Sequence, residues 1–183
     1  LTVDGSFTLG AAWSAVLAPA GHPILGIGAA FLAGGAAGLV TAALQTKLKV
    51  QPILAGIITM TALYSINLMV MGGRSNLPLL RVTTIFTMAE EVLPPSVATL
   101  VVTGLFSLAA AGGLFLFLRT QLGLSIRATG DNRAMVSSSS INPNFTTTVG
   151  LCVANALVAT GGALLAQYQS FGGPTIGTGM GGI

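Results

Sequence analysis

The chain has 183 residues, of which 52% are hydrophobic and 6% charged, with seven Lys and Arg against four Asp and Glu. Soluble domains carry about 25% charged residues, so this composition cannot cover a water-facing surface, and a soluble globular fold is excluded. With a mean hydropathy of +0.87 the solvent that fits is a lipid bilayer, and the formal charge of +3 gives a nucleic-acid role no support.

The charged residues divide the chain into long uncharged stretches. Residues 5 to 46 contain only His22 as a titratable base, and residues 50 to 73, 92 to 118 and 134 to 183 contain no charged side chain. A bilayer core of about 30 Å needs about 20 mostly apolar helical residues. The stretches therefore hold five or more spans, placed near Phe7 to Ala18, Ile24 to Leu44, Ile53 to Met71, Ser96 to Leu118 and Phe145 to Gln167. The first is short and reads as a broken helix or one that begins upstream of Leu1. The apolar start and the Gly-rich finish make the chain read as one transmembrane domain over residues 1 to 183, truncated at both ends. The 25 glycines sit among Ala, Leu, Ile and Val, as in membrane helices that pack closely, and Gly34 with Gly38 forms a GxxxG pair.

Short loops rich in Lys and Arg stay on the cytoplasmic side. If the spans alternate, Lys47 and Lys49 share a side with Arg119, Arg127 and Arg133, which puts residues 45 to 52 and 119 to 144 inside. Residues 19 to 23 and 72 to 95, with Arg74 and Arg81, then lie outside. Within the outer loop, Ile85, Phe86, Ala89, Val92 and Leu93 recur at helical spacing, which predicts a short interfacial helix ended by Pro94 and Pro95. Glu90 and Glu91, being adjacent, point about 100° apart on that helix and do not make a paired-carboxylate site. The helix either caps the bundle or receives an external partner.

One Cys and one His cannot form a Cys/His metal centre, and no HExxH, nucleophile elbow or P-loop pattern occurs, so neither an enzyme nor a bound cofactor is expected. Cys152 reads as a small buried residue and His22 as a solvated turn residue. The suggestive chemistry is uncharged polarity inside the spans: Met60, Tyr64 and Asn67 on one helix, Thr148, Cys152 and Asn155 on another. A buried amide in hydrocarbon needs a partner, so both Asn residues face either other helices or a water-filled path.

The inner loop RTQLGLSIRATGDNRAMVSSSSINPN, Arg119 to Asn144, is long and polar. Asp131 is expected to cap a short helix through Ala134, Met135 and Val136, which the Pro143 context ends. Such a helix is shaped to enter a groove on a soluble partner. Two classes of function stay open, a transporter subunit energised from outside the chain and a gradient-driven secondary transporter or channel. An ion-coupled carrier usually needs intramembrane carboxylates, and the assigned spans contain none, which favours the first.

Arg127, Ala128, Gly130 and Asn132, a small-residue run, Ile141, and then Gly161, Gly162, Ala163 and Leu164 resemble a known pattern. It is the RAxGxNxxAAxxxGI coupling loop, with the helix after it, of the permease subunits of ATP-binding-cassette importers in the branched-chain amino acid and ribose branch. Ser137 to Ser140 stand where that family has alanines and a glycine. The segment ITMTALYSINLMVMGGRSNLPLL, Ile58 to Leu80, is similar to the sub-branch for tryptophan, tyrosine and related amino acids. The resemblance implies an all-α polytopic bundle with inverted repeats, in the bacterial cytoplasmic (inner) membrane. Its implied partners are a second permease, two cytoplasmic ABC ATPase subunits and an external solute-binding protein, in contact with the lipid bilayer. Residues 119 to 144 would then be the coupling loop, with Arg127, Ala128, Gly130, Asn132, Ala134, Met135, Val136 and Ile141 at the ATPase contact. Asp4 to Gly10 are faintly echoed by Gly172 to Gly177, as small-residue breaks of the kind that mark transport sites in inverted repeats. The expected solute pathway is Asp4, Gly5, Ser6, Phe7, Tyr64, Asn67, Asn155, Phe171 and Gly172, and the expected solute is an aromatic or apolar amino acid.

Overall fold

The computed structural model describes residues 2–18, 21–74, 77–79, 82–92, 94–173 and 176. Among them the chain folds as α1 (Val3–Leu17), α2 (Pro23–Thr46), α3 (Pro52–Val70), β1 (Leu77–Pro78), α4 (Ile85–Glu90), α5 (Pro95–Arg119), α6 (Gln121–Asp131), α7 (Arg133–Ser138), α8 (Pro143–Gln169) and β2 (Phe171–Gly172). The architecture is a polytopic helical bundle. Among the described residues it also contains a two-residue antiparallel pair, Leu77 with Gly172 and Pro78 with Phe171.

Four of the described helices are long and apolar enough to cross a bilayer: α2, α3, α5 and α8. All four start on a proline. The first helical position has no intrahelical use for its N–H and suits a fixed φ, so Pro opens a helix there at no cost in hydrogen bonds. Pro95 and Pro143 therefore begin spans; α4 ends earlier, at Glu90, and α7 at Ser138. These helices carry large apolar side chains on their exposed sides, with Ile53 and Met69 each 80% exposed and Leu108 74%.

The first predicted span corresponds to α1, whose described helix starts at Val3 rather than Phe7 and runs for 15 residues, about 22 Å. It lies inside the bundle, with nine residues buried, Gly5 and Ala15 among them. Asp4 to Gly10 are continuous helix, not a break. Of the proposed echo at Gly172 to Gly177, Pro174, Thr175 and Gly177 lie outside the described residues.

The core is built on α8, whose most extensive contacts are with α2 and α1. Glycines set these approaches. A Cβ added at Gly34 would sit 2.6 Å from the Asn155 carbonyl, and one at Gly38 would sit 2.6 Å from that of Leu151. Gly10 lies against the Ala159 carbonyl, and Gly162 against that of Phe7. Small residues let backbones approach where no hydrophobic force drives helices together in lipid. By contrast α5 stands apart, with only Ala98 and Val102 buried, and is fastened through its neighbours α4 and α6.

The helices alternate in direction. Lys47, after α2, lines the same surface groove as Thr148 in the second turn of α8, so residues 45–52 and 119–144 share one end. At the other end Gln167 bonds to both Pro23 and Ile85. Gly73 closes α3 there, its positive φ of 73° letting its N–H reach the Leu68 carbonyl at 2.9 Å. Arg81, assigned to that end from the sequence, is outside the described residues.

Candidate functional site

The expected pathway residues separate into three places along α1. In the first, Thr2, Ser6 and Asn155 meet. The Asn155 Oδ1 accepts from the Thr2 backbone N–H at 3.3 Å, the Thr2 hydroxyl at 3.0 Å and the Ser6 hydroxyl at 3.0 Å. Its Nδ2 donates to the Leu151 carbonyl at 3.0 Å. All three residues are buried, so in this conformation the amide joins α1 to α8 and faces no open path. Asp4 lies two residues before Ser6 in α1, on a different side of the helix, and its backbone carbonyl accepts from the Thr8 hydroxyl one turn on. A carboxylate therefore does stand on a helix of the bundle. The sequence boundary at Phe7 had left it outside.

In the second place, Gly5 packs on Leu63 of α3, and the Gly5 carbonyl accepts from Asn67 Nδ2 at 3.4 Å. Asn67 is 1% exposed, and its Oδ1 has no hydrogen-bond partner among the described residues. The buried face of α3 is Ala55, Thr59, Leu63 and Asn67. Tyr64 and Met60 are on the exposed side. Tyr64 therefore does not join Asn67 on one buried face: the predicted stripe straddles the boundary between the packed and the exposed side of α3, because i and i+3 are about 60° apart. Phe7 lies between α1 and α8, near Gly161 and Gly162.

The third place is ten residues further along α1, about 15 Å away. Gly172 packs against Ala15 there, and with Phe171 it forms β2. Phe171 and Gly172 thus belong to the end of the bundle and not to the level of Ser6 and Asn155. A separate cleft of about 610 Å³ lies between α5 and the α2–α8 pair, lined by Phe31, Phe106, Leu114, Phe117, Leu157 and Thr160 among others. It is apolar, and nothing in the hydropathy of the sequence distinguished it.

At the basic end the polar loop is almost wholly helical. The Thr120 hydroxyl caps α6 by accepting from Gly123 N–H at 3.2 Å, and Gly123 lies flat against the Leu118 backbone. Arg127, Ala128 and Gly130 are exposed on α6. The cap of α7 is Asn132, whose Oδ1 accepts from Met135 N–H at 3.0 Å. Asp131 instead closes α6. Ala134 and Met135 are exposed, Met135 by 69%, whereas Val136 is 4% exposed and faces the bundle. Ile141 is half-buried in the connection to α8. Two side-chain contacts fix this unit to α8: Thr129 with Thr146 at 2.8 Å, and Arg133 Nη2 donating to Asn144 Oδ1 at 2.8 Å. Neither pair was legible in the sequence, since neither partner stands out alone.

Sequence reading passed over Gln167 entirely. It is 1% exposed and makes three interhelical hydrogen bonds at the end opposite α7.

Four helices long and apolar enough to cross a bilayer, on a glycine-packed core, define a multi-pass membrane protein. The chain belongs to the family described as the branched-chain amino acid transport system / permease component, whose pattern it matches over residues 1–182. It is 37% identical over 180 residues to a protein of Clostridioides difficile named tyrosine transport system permease protein, covering 98% of this chain and 58% of that one. It is 30% identical over 182 residues to an uncharacterized protein of Rickettsia prowazekii, covering 98% of this chain and 62% of that one. The chain thus spans about three fifths of the length of these two relatives. No solved structure matches it significantly.

Proposed function

We propose that the chain is part of the membrane-spanning subunit of an ATP-binding-cassette importer that carries an amino acid, aromatic or apolar, across the bacterial cytoplasmic membrane. In this reading the basic end is cytoplasmic and two permeases pair. ATP is hydrolysed by two separate ATPase subunits and solute arrives on an external binding protein, so the permease itself performs no covalent chemistry. The support is family membership, the name of the tyrosine relative, and the basic charge gathered at one end.

The observation that carries the mechanism is α7. It is a short capped helix, anchored inward by Val136 and Arg133, with Met135 projecting outward. An apolar knob on a fixed helix transmits rigid-body motion when it sits in a groove. Exposed charges on long side chains contribute only about 0–1 kcal/mol each. Motion would pass from α7 to α8 through the Thr129–Thr146 and Arg133–Asn144 contacts, and from α8 to α1 and α2 through their glycine contacts. The Met135→Asp variant would bury an unpaired charge at the contact, a loss of about 3–5 kcal/mol. Ser137→Asp, about 200° around the same helix, serves as control. We expect ATPase co-purification and uptake to be lost for Met135→Asp and kept for Ser137→Asp; normal assembly of the Met135 variant removes α7 from the coupling path.

A further inference from the structure

The end of the bundle opposite α7 is held together by one buried amide. Gln167 Nε2 donates both hydrogens, to the Ser14 hydroxyl at 3.0 Å and the Pro23 carbonyl at 3.1 Å, and Oε1 accepts from the Ile85 backbone N–H at 3.1 Å. One side chain of α8 thereby joins α1, α2 and α4. The Ile85 N–H is a first-turn donor that α4 cannot satisfy internally, while Thr84 and Thr87 close the rest of that turn as a capping box. Around this bond Phe86 meets Tyr168 edge-on at 5.6 Å, and Leu79 N–H donates to the Ser170 carbonyl at 2.8 Å.

What α4 holds is α5. Few residues of α5 are buried, and its contacts are chiefly with α4 at one end and α6 at the other. The α6 end is tied to α8 by Thr129 and Thr146; the α4 end is tied to α8 by Gln167. Between the two fastenings lies the apolar cleft of about 610 Å³. Moving α5 relative to α8 changes that cleft, and either fastening resists the movement.

We propose that Gln167 is a positioning residue for transport: through Ile85 it makes α4 and the far end of α5 move as one body with α8. The proposal rests on the importer reading above and adds the element that carries motion to α5. Its purpose differs from packing alone, because an apolar side chain of the same length fills the space without holding the α4 amide.

The test uses the complete transporter in lipid. Gln167→Met keeps the volume and removes the amide. Ile85→Pro removes the N–H from the other side, at a first-turn position that accepts Pro and after Thr84, whose backbone is already extended. Hydrogen exchange is read for the peptide covering residues 82–92, with peptides of α2 and α8 as folding controls. The Gln167→Met variant should exchange Ile85 N–H roughly tenfold faster, as expected for one lost buried hydrogen bond. In both variants solute-stimulated ATP hydrolysis should fall at least about fivefold while basal hydrolysis is unchanged, a split that general destabilisation does not produce. Ser14→Ala, which removes only one of the three bonds, should keep both protection and stimulation. Unchanged Ile85 exchange in Gln167→Met overturns the proposal, as does faster exchange with stimulation intact. If Gln167→Met does not fold, retained stimulation in Ile85→Pro overturns it. A wild-type complex that shows no solute-stimulated hydrolysis sinks the importer reading itself, and this proposal with it.

Discussion

Replacing Asn155 by Leu should destabilise the bundle by about 2–4 kcal/mol, and the figure follows from its partners. The substitution strands the Thr2 backbone N–H, the Thr2 hydroxyl and the Ser6 hydroxyl, all bonded to Asn155 Oδ1. The two hydroxyls lie 3.1 Å apart, so they can bond each other, leaving two donors unsatisfied. A stranded buried donor costs about 1–3 kcal/mol. Measured interhelical bonds in membranes average about 0.6 kcal/mol, because the unfolded reference state also finds partners, which sets the lower part of the range. Ser6→Ala removes one donor and leaves Asn155 satisfied by Thr2, so it should cost about 0.5–1 kcal/mol. Reversible unfolding of the full-length permease in mixed micelles, followed by circular dichroism, measures both. Equal costs for the two variants would show that Asn155 is not the node the geometry makes it.

Two further outcomes follow from local geometry. Gly38→Ala should cost about 1–3 kcal/mol by pushing α2 off the Leu151 and Cys152 backbone, whereas Gly35→Ala, whose added methyl would meet Ala156 at 4.0 Å, should be nearly neutral in the same unfolding assay. Asn132→Ala should lower the stability of α7 by about 1 kcal/mol through loss of its cap and weaken ATPase co-purification partially; Asp131→Ala, which caps no helix N-terminus, should not.

The spans were legible because charge is costly in lipid: the uncharged stretches located α2, α3, α5 and α8 to within a few residues. The prolines were harder to place from sequence. Read as terminators, Pro95 and Pro143 bounded the preceding helices, but in the fold they open the next ones, and only the run that follows distinguishes the two uses. Gly34 and Gly38 were legible as a contact, though not which helix they meet. The polar residues were only half legible. The need for partners placed Asn67 and Asn155 inside, but helical spacing alone could not separate buried Asn67 from exposed Tyr64. Gln167 gave no signal because its importance lies entirely in groups from three other helices, two of them more than 100 residues away. Val136 was grouped with Ala134 and Met135 by adjacency; successive residues on a helix point about 100° apart, which sends Val136 inward.

The central proposal is that movement of solute through this fold is driven by ATP hydrolysed on separate subunits. Its most direct measurement is uptake of labelled aromatic and apolar amino acids into proteoliposomes containing the full-length permease with the ATPase and binding protein proposed as its partners, with ATP supplied on the side of α7 and ion gradients collapsed. The account predicts accumulation that needs ATP and the ATPase and that excess ribose does not compete away. Accumulation driven by an imposed ion gradient without ATP would contradict it.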